Sequence, residues 1–131
     1  MGTPPGSPTG SSSSGSASGL SDAEYRRLTA ALLASIEAAA DRFLQDDLAD
    51  IDSHRTGGLL ELSFANGSKL IINTQPPLHE VWLAAKAGGY HYRFVGGRWL
   101  DTRDGSEFFS ALSKHASAQS EATLRFEAPA D

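Results

Sequence analysis

Apolar residues recur three and four positions apart between residues 22 and 43, which is the spacing of one face of an α-helix. Ser21 and Glu24, at the start of this run, have the spacing of a capping box. The pattern therefore predicts a helix over about residues 22–43 with one face against a core. The core-facing positions are Tyr25, Leu28, Leu32, Ile36, Ala39 and Phe43.

From residue 48 onward apolar positions alternate with polar ones, as they do in half-buried strands. Paired glycines or prolines interrupt this alternation and indicate turns. Between the second and third of these strands, Asn66-Gly67 favours a hairpin with a type I′ turn. We expect about six strands, whose inward residues are Ile51, Leu60, Leu62, Phe64, Leu70, Ile72, Val81, Leu83, Tyr90, Tyr92, Phe94 and Trp99.

A second helix is expected after Asp104-Gly105-Ser106. Beyond it, Leu124 and Phe126 alternate in a segment that forms a short strand or packs in a groove between the helices. The element order predicts an α+β fold, a two-layer α/β sandwich with N- and C-terminal helices packed on one face of an antiparallel sheet. The inner side of the second helix carries Phe109, Leu112 and Ala116.

Composition divides the 131 residues into a tail and one domain. Of the first 19 residues, 17 are Ser, Gly, Pro or Thr, which is typical of disorder. We therefore expect a disordered tail over residues 1–19, native or added by cloning, and one domain over residues 20–131.

Several classes of protein are excluded by what the sequence lacks. Without cysteine, it has no disulfide, no thiolate zinc site and no thiolate ligand for an iron–sulfur cluster. The longest apolar runs are too short for a transmembrane helix, and the Ser-rich start has neither the basic nor the apolar region of a targeting segment. A net charge of -5 and a pI near 5.3 argue against binding to nucleic acid. We expect a cytoplasmic location.

The negative charge is concentrated in residues 37–52, where six carboxylates and one cation give a net charge of -5, equal to that of the whole chain. Carboxylate oxygens are hard ligands, suited to Mg²⁺, Ca²⁺, Mn²⁺ and iron. An open arrangement predicts weak and exchangeable binding, whereas the alternative is a solvated face that only aids solubility. We call these six residues the acidic ridge: Glu37, Asp41, Asp46, Asp47, Asp50 and Asp52.

Alternation also predicts a polar side of the sheet, away from the helices, which we call the outer face. A tryptophan there, Trp82, is typical of a protein-binding surface, although it could instead cover its neighbours on adjacent strands. The expected partner-binding residues are Asn73, Gln75, Trp82 and His91.

Nothing in the sequence indicates catalysis. His54, His79, His91 and His115 lack the spacing of metal-binding helices, and each is expected at the surface or in a hydrogen bond. The sequence also has no nucleophile motif, P-loop or dinucleotide-binding fingerprint. We expect no catalytic residues and a protein that is not an enzyme.

A series of motifs, in order, resembles the frataxin family, especially its bacterial CyaY-type members, over about residues 20–126. The resemblance implies an iron-binding accessory protein of iron–sulfur cluster assembly. It also implies that the acidic ridge binds Fe²⁺ and Fe³⁺ and docks a basic surface of a cysteine desulfurase, and that the outer face contacts the iron–sulfur scaffold protein and its desulfurase partner. The motifs are Asn66-Gly67-Ser68-Lys69, Ile72-Asn73, Gln75-Pro76-Pro77-Leu78-His79, Val81-Trp82-Leu83-Ala84 and Gly88-Gly89-Tyr90-His91.

This chain departs from the family pattern at both surfaces. The family has paired carboxylates along the first helix, but here the second members are Ala38 and Arg42, and the following loop is two residues longer. On the outer face, Glu80 and His91 stand where eukaryotic members have glutamine and arginine. Iron stoichiometry and partner contacts therefore do not transfer directly.

Two other functions stay open at this point. One is a ferroxidase or iron-storage protein that oxidises and sequesters iron in oligomers, and the other is an interaction module with incidental metal affinity. For the accessory protein we expect a monomer, with iron-induced oligomers as the alternative.

Overall fold

The computed structural model describes residues 19–130. Its first helix, α1, runs over Asp22–Gln45 and begins at a complete capping box. The Ser21 hydroxyl accepts from the Glu24 amide at 3.1 Å, and the Glu24 carboxylate accepts from the Ser21 amide at 3.2 Å. The predicted helix is confirmed. Of its six core-facing positions, five are buried and Leu28 is partly buried.

The sheet has six strands, each antiparallel to the next along the chain, in the order β1-β2-β3-β4-β5-β6. A short 3-10 helix, Pro76–Leu78, follows β3. The predicted antiparallel sheet is confirmed. The strands are β1 Ile51–Thr56, β2 Leu59–Phe64, β3 Lys69–Gln75, β4 Glu80–Ala85, β5 Gly88–Val95 and β6 Arg98–Asp101.

The turn between β2 and β3 differs from the predicted type I′ turn, so that prediction is wrong. A type I′ turn needs positive φ at both central residues, but here only Gly67, at 90°, has it. The Gly67 amide donates to the Phe64 carbonyl and the Phe64 amide donates to the Ser68 carbonyl, which closes a three-residue loop. The Asn66 side chain bonds both inside and outside the turn, because its oxygen accepts from the Ser68 amide at 3.0 Å and its amide donates to the Gln119 carbonyl at 2.6 Å.

The second helix, α2, runs over Phe108–Ser120 and follows the Asp104-Gly105-Ser106 turn, as predicted. Glu107 caps it by accepting from the Phe109 and Ser110 amides. Both helices pack on the same face of the sheet, and the core lies between the two layers, as predicted for an α+β sandwich. Trp99 belongs to this core with 5% of its surface exposed.

The segment after α2 forms no strand within the described residues but packs in a groove, so the groove alternative is confirmed. The Ser117 hydroxyl bonds both backbone groups of Leu124, and Ser113 does the same for Phe126. The Phe126 ring also meets Phe43 of α1 at 5.2 Å between centroids. Leu124 and Phe126 are both buried.

The predicted disordered tail lies outside the described residues, apart from Gly19. Within residues 19–130, no helix combines the length and the apolar character needed to cross a membrane.

Candidate functional site

The acidic ridge extends along the second half of α1, through the following loop and onto β1. Glu37 is partly buried and accepts from the Arg55 guanidinium of β1 at 3.1 Å. Asp41 is exposed on α1, and Asp52 is exposed on β1. The remaining three carboxylates, Asp46, Asp47 and Asp50, are exposed around the loop. The six therefore follow one stretch of chain, from the middle of α1 to the start of β1.

Backbone hydrogen bonds hold the loop in the form of a Schellman motif. The Leu48 amide donates to the Phe43 carbonyl at 2.8 Å, and the Asp47 amide donates to the Leu44 carbonyl at 3.2 Å. Asp47 consequently adopts φ of 61°, in the left-handed region where glycine is the usual residue. Leu44 and Leu48 are about half exposed beside the carboxylates.

The electrostatics of this segment oppose local stability. Asp46 and Asp47 add negative charge at the negative end of the helix dipole, at a cost of about 0.3–1 kcal/mol per charge. Among the described residues, Glu37 is the only one of the six with a cation within 4.0 Å. The other five carboxylates therefore keep their oxygen atoms available for external cations.

The ridge is an open surface. In the described part of the chain, no three His, Cys, Asp or Glu residues are grouped so that they could hold one metal ion. The donors present are hard carboxylate oxygens, which suit iron and other hard cations and attract basic protein surfaces. The assignment of the six residues as metal ligands stays a prediction.

On the outer face, three of the four expected partner-binding residues lie side by side across three strands. Asn73 of β3 pairs with Trp82 of β4, which pairs with His91 of β5. The indole and imidazole rings are stacked, with centroids 4.0 Å apart and planes 4° from parallel. Gln75, the fourth, lies two positions along β3 and pairs with Glu80. The structure thus brings the four together, while their role in binding stays a prediction.

Sequence reasoning did not include Glu80 among the site residues, yet its side chain bonds two neighbouring side chains on the outer face. It accepts from the Trp82 indole N–H and from Arg93 Nε, both at 2.8 Å. Although it lies on the outer face, only 5% of Glu80 is exposed. Its position two residues before Trp82 on the same strand was the available signal, because alternation places both on one face.

The four histidines are distributed over separate contacts. His79, at the end of the 3-10 helix, bonds Asp22 at 2.7 Å and stacks on the buried Tyr25 ring. His115 of α2 lies against Tyr90, and its burial, with the neighbouring Lys114, lowers its pKa from the ordinary value. His54 is exposed on β1, and His91 belongs to the outer face.

Comparison with known proteins supports one family. The model of the frataxin-like domain matches residues 18–122. The iron-sulfur cluster assembly protein CyaY of Polaromonas sp. (strain JS666) is 53% identical over 110 residues, covering 84% of this chain and 95% of the relative. The Psychromonas ingrahamii frataxin structure has a TM-score of 0.72 and 41% identity, covering 82% of this chain and 99% of that one.

A more distant structure shares the fold alone. It is a trimeric frataxin from the yeast Saccharomyces cerevisiae, complexed with ferrous iron, with a TM-score of 0.59 and 21% identity, and the match covers 78% of this chain and 88% of that one. The family model and the bacterial relative, by contrast, extend over most of this sequence. The chain therefore belongs to the frataxin family, as its motifs indicated.

Proposed function

We propose that this chain is an iron-binding accessory protein of iron–sulfur cluster assembly that regulates a complex of cysteine desulfurase and scaffold protein. The observation that carries the proposal is the acidic ridge, where five exposed carboxylates have no cation partner among the described residues. Family membership supports it, since the similar protein of Polaromonas is named for cluster assembly.

The two surfaces have separate tasks in this proposal. The ridge binds Fe²⁺ or Fe³⁺ weakly and exchangeably, and its charge speeds the encounter with a basic surface of the desulfurase. The outer face around Trp82 contacts the scaffold. The protein itself catalyses no step. It acts in the cytoplasm as a monomer that changes the rate of sulfur release and cluster formation or supplies iron.

The test is cluster assembly in vitro with a cysteine desulfurase, a scaffold protein, cysteine and ferrous iron. Wild-type protein is added in stoichiometric steps, in parallel with an Asp46→Asn/Asp47→Asn/Asp50→Asn variant. We expect the wild type to change the assembly rate and the triple variant to have little effect. A Glu121→Gln/Glu127→Gln variant, which removes exposed charges outside the ridge, should act like the wild type.

Two outcomes would contradict this proposal. If the triple variant changes the rate as the wild type does, the ridge is not the working surface. If the wild type has no effect, the cluster-assembly function fails. Catalytic oxygen consumption with ferrous iron would then favour the ferroxidase or storage function, although the ridge lacks the Glu-x-x-His pairs of di-iron bundles.

A further inference from the structure

Glu80 is a buried carboxylate on the polar side of the sheet, where side chains are normally solvated. Only 5% of its surface is exposed, because Trp82, His91 and Arg93 surround it. Burying a carboxylate is costly unless hydrogen bonds and opposite charge compensate. Here one oxygen accepts from the indole and the other from the guanidinium, so both are satisfied.

These contacts restrict the orientation of the Trp82 side chain. The indole N–H is directed at Glu80 Oε1, and the ring is stacked on His91. His91 Nδ1 lies 3.9 Å from the same carboxylate oxygen. The Glu80 carboxylate therefore bonds the N–H edge of the Trp82 indole and also lies beside the His91 ring that is stacked on that indole.

The indole N–H, already bonded within the chain, is unavailable to a partner. Trp82 therefore contributes its apolar ring, and the exposed side chains beside it, His91 and Arg93, contribute polar contacts. An aromatic anchor that is held in its bound orientation loses less conformational entropy on association. Such anchors often supply much of the binding free energy of an interface.

We propose that Glu80 is a positioning residue of the outer face: without being exposed to a partner, it holds Trp82 and His91 in the orientation that binds the scaffold protein. The inference rests on the proposed function, because it needs a partner on this face.

The experiment combines indole NMR with titration of the scaffold protein. The chain has two tryptophans, and the buried Trp99 serves as the internal reference for folding. In Glu80→Ala, we expect the Trp82 indole N–H resonance to shift and to exchange faster with solvent while that of Trp99 is unchanged. Binding to the scaffold should weaken about tenfold.

Two further variants distinguish the hydrogen bonding of Glu80 from its negative charge. Glu80→Gln keeps an acceptor for the indole, so scaffold binding should stay within about twofold of the wild type. Glu61→Ala removes another carboxylate of the outer face, which pairs with Lys69 at 3.0 Å and does not contact Trp82, and binding should be unchanged. If Glu80→Gln is as weak as Glu80→Ala, charge rather than hydrogen bonding governs binding, and the inference is wrong.

Failure of this inference differs from failure of the proposed function. If the wild type binds the scaffold and Glu80→Ala binds equally well, Glu80 has no positioning role and the proposed function stands. An unchanged Trp82 indole resonance in Glu80→Ala would likewise show that Glu80 does not position Trp82. If the wild type does not bind the scaffold at all, the contact that the proposed function assigns to this face is refuted, and the inference with it.

Discussion

The Leu48 amide donates to the Phe43 carbonyl at 2.8 Å and thereby restricts the conformation of Asp47, the residue directly before Leu48. Asp47 has φ of 61° at a position where most helices that end this way have glycine. Its carboxylate also adds negative charge to the negative end of the helix. Backbone conformation and charge both disfavour an aspartate here, which is consistent with a role for its carboxylate outside folding.

Replacing Asp47 with glycine should stabilise the domain. Glycine adopts the left-handed region without steric cost, and the unfavourable charge is removed, so Asp47→Gly should raise the free energy of unfolding by about 1 kcal/mol. Urea unfolding at neutral pH measures it. Asp47→Asn is the control, since it removes the charge and keeps a side chain, and it should give a smaller increase. A loss of stability in Asp47→Gly would refute the interpretation.

The charge of the ridge as a whole should also affect stability. Asp46→Asn/Asp47→Asn/Asp50→Asn changes the formal net charge from -5 to -2, because three negative charges are removed. The melting temperature without metal should rise by a few degrees at low salt, since repulsion is relieved. At about 1 M salt, where the Debye length is about 3 Å, most of the difference should disappear. An unchanged or lower melting temperature at low salt would contradict this expectation.

The two tryptophans should respond differently to truncation. Trp99 is a core residue, and Trp99→Ala should lower the free energy of unfolding by about 3–5 kcal/mol. Trp82 covers the outer face, so Trp82→Ala should leave the fold intact and weaken scaffold binding. Thermal unfolding and a binding titration of both variants measure this contrast. If Trp82→Ala unfolds the domain, Trp82 is a structural residue, and its assignment to a binding surface is wrong.

The sequence predicts elements well where one local pattern determines the structure. Leu32 and Ile36 lie on one helical face, and helical spacing alone places both in the core. Glu80 is different, because alternation gives its side of the sheet but does not show that an indole and a guanidinium from two strands cover it. Asn66 is similar, because its amide donates to the Gln119 carbonyl, 53 residues away, a contact that the local turn motif does not predict.

The groove that holds the C-terminal segment depends on two serines of α2 that sequence patterns do not distinguish from surface residues. In Ser117→Ala, both backbone groups of the buried Leu124 lose their partner, so the free energy of unfolding should fall by about 1–3 kcal/mol. Ser35→Ala is the matched control, because that hydroxyl bonds only the Leu32 carbonyl of its own helix. Urea unfolding compares them. Equal losses of unfolding free energy in the two variants would show that the bonds between Ser117 and Leu124 contribute little to stability.

His115 should make stability depend on pH. Burial, together with Lys114, lowers its pKa in the folded protein, whereas the unfolded chain has the ordinary value of 6.5. Just below pH 6.5 the unfolded state therefore binds more protons, and stability falls as the pH decreases through this range. In His115→Gln, the free energy of unfolding should decrease less between about pH 7.5 and about pH 5.5 than in the wild type. An unchanged pH dependence in His115→Gln would show that this imidazole is equally basic in both states.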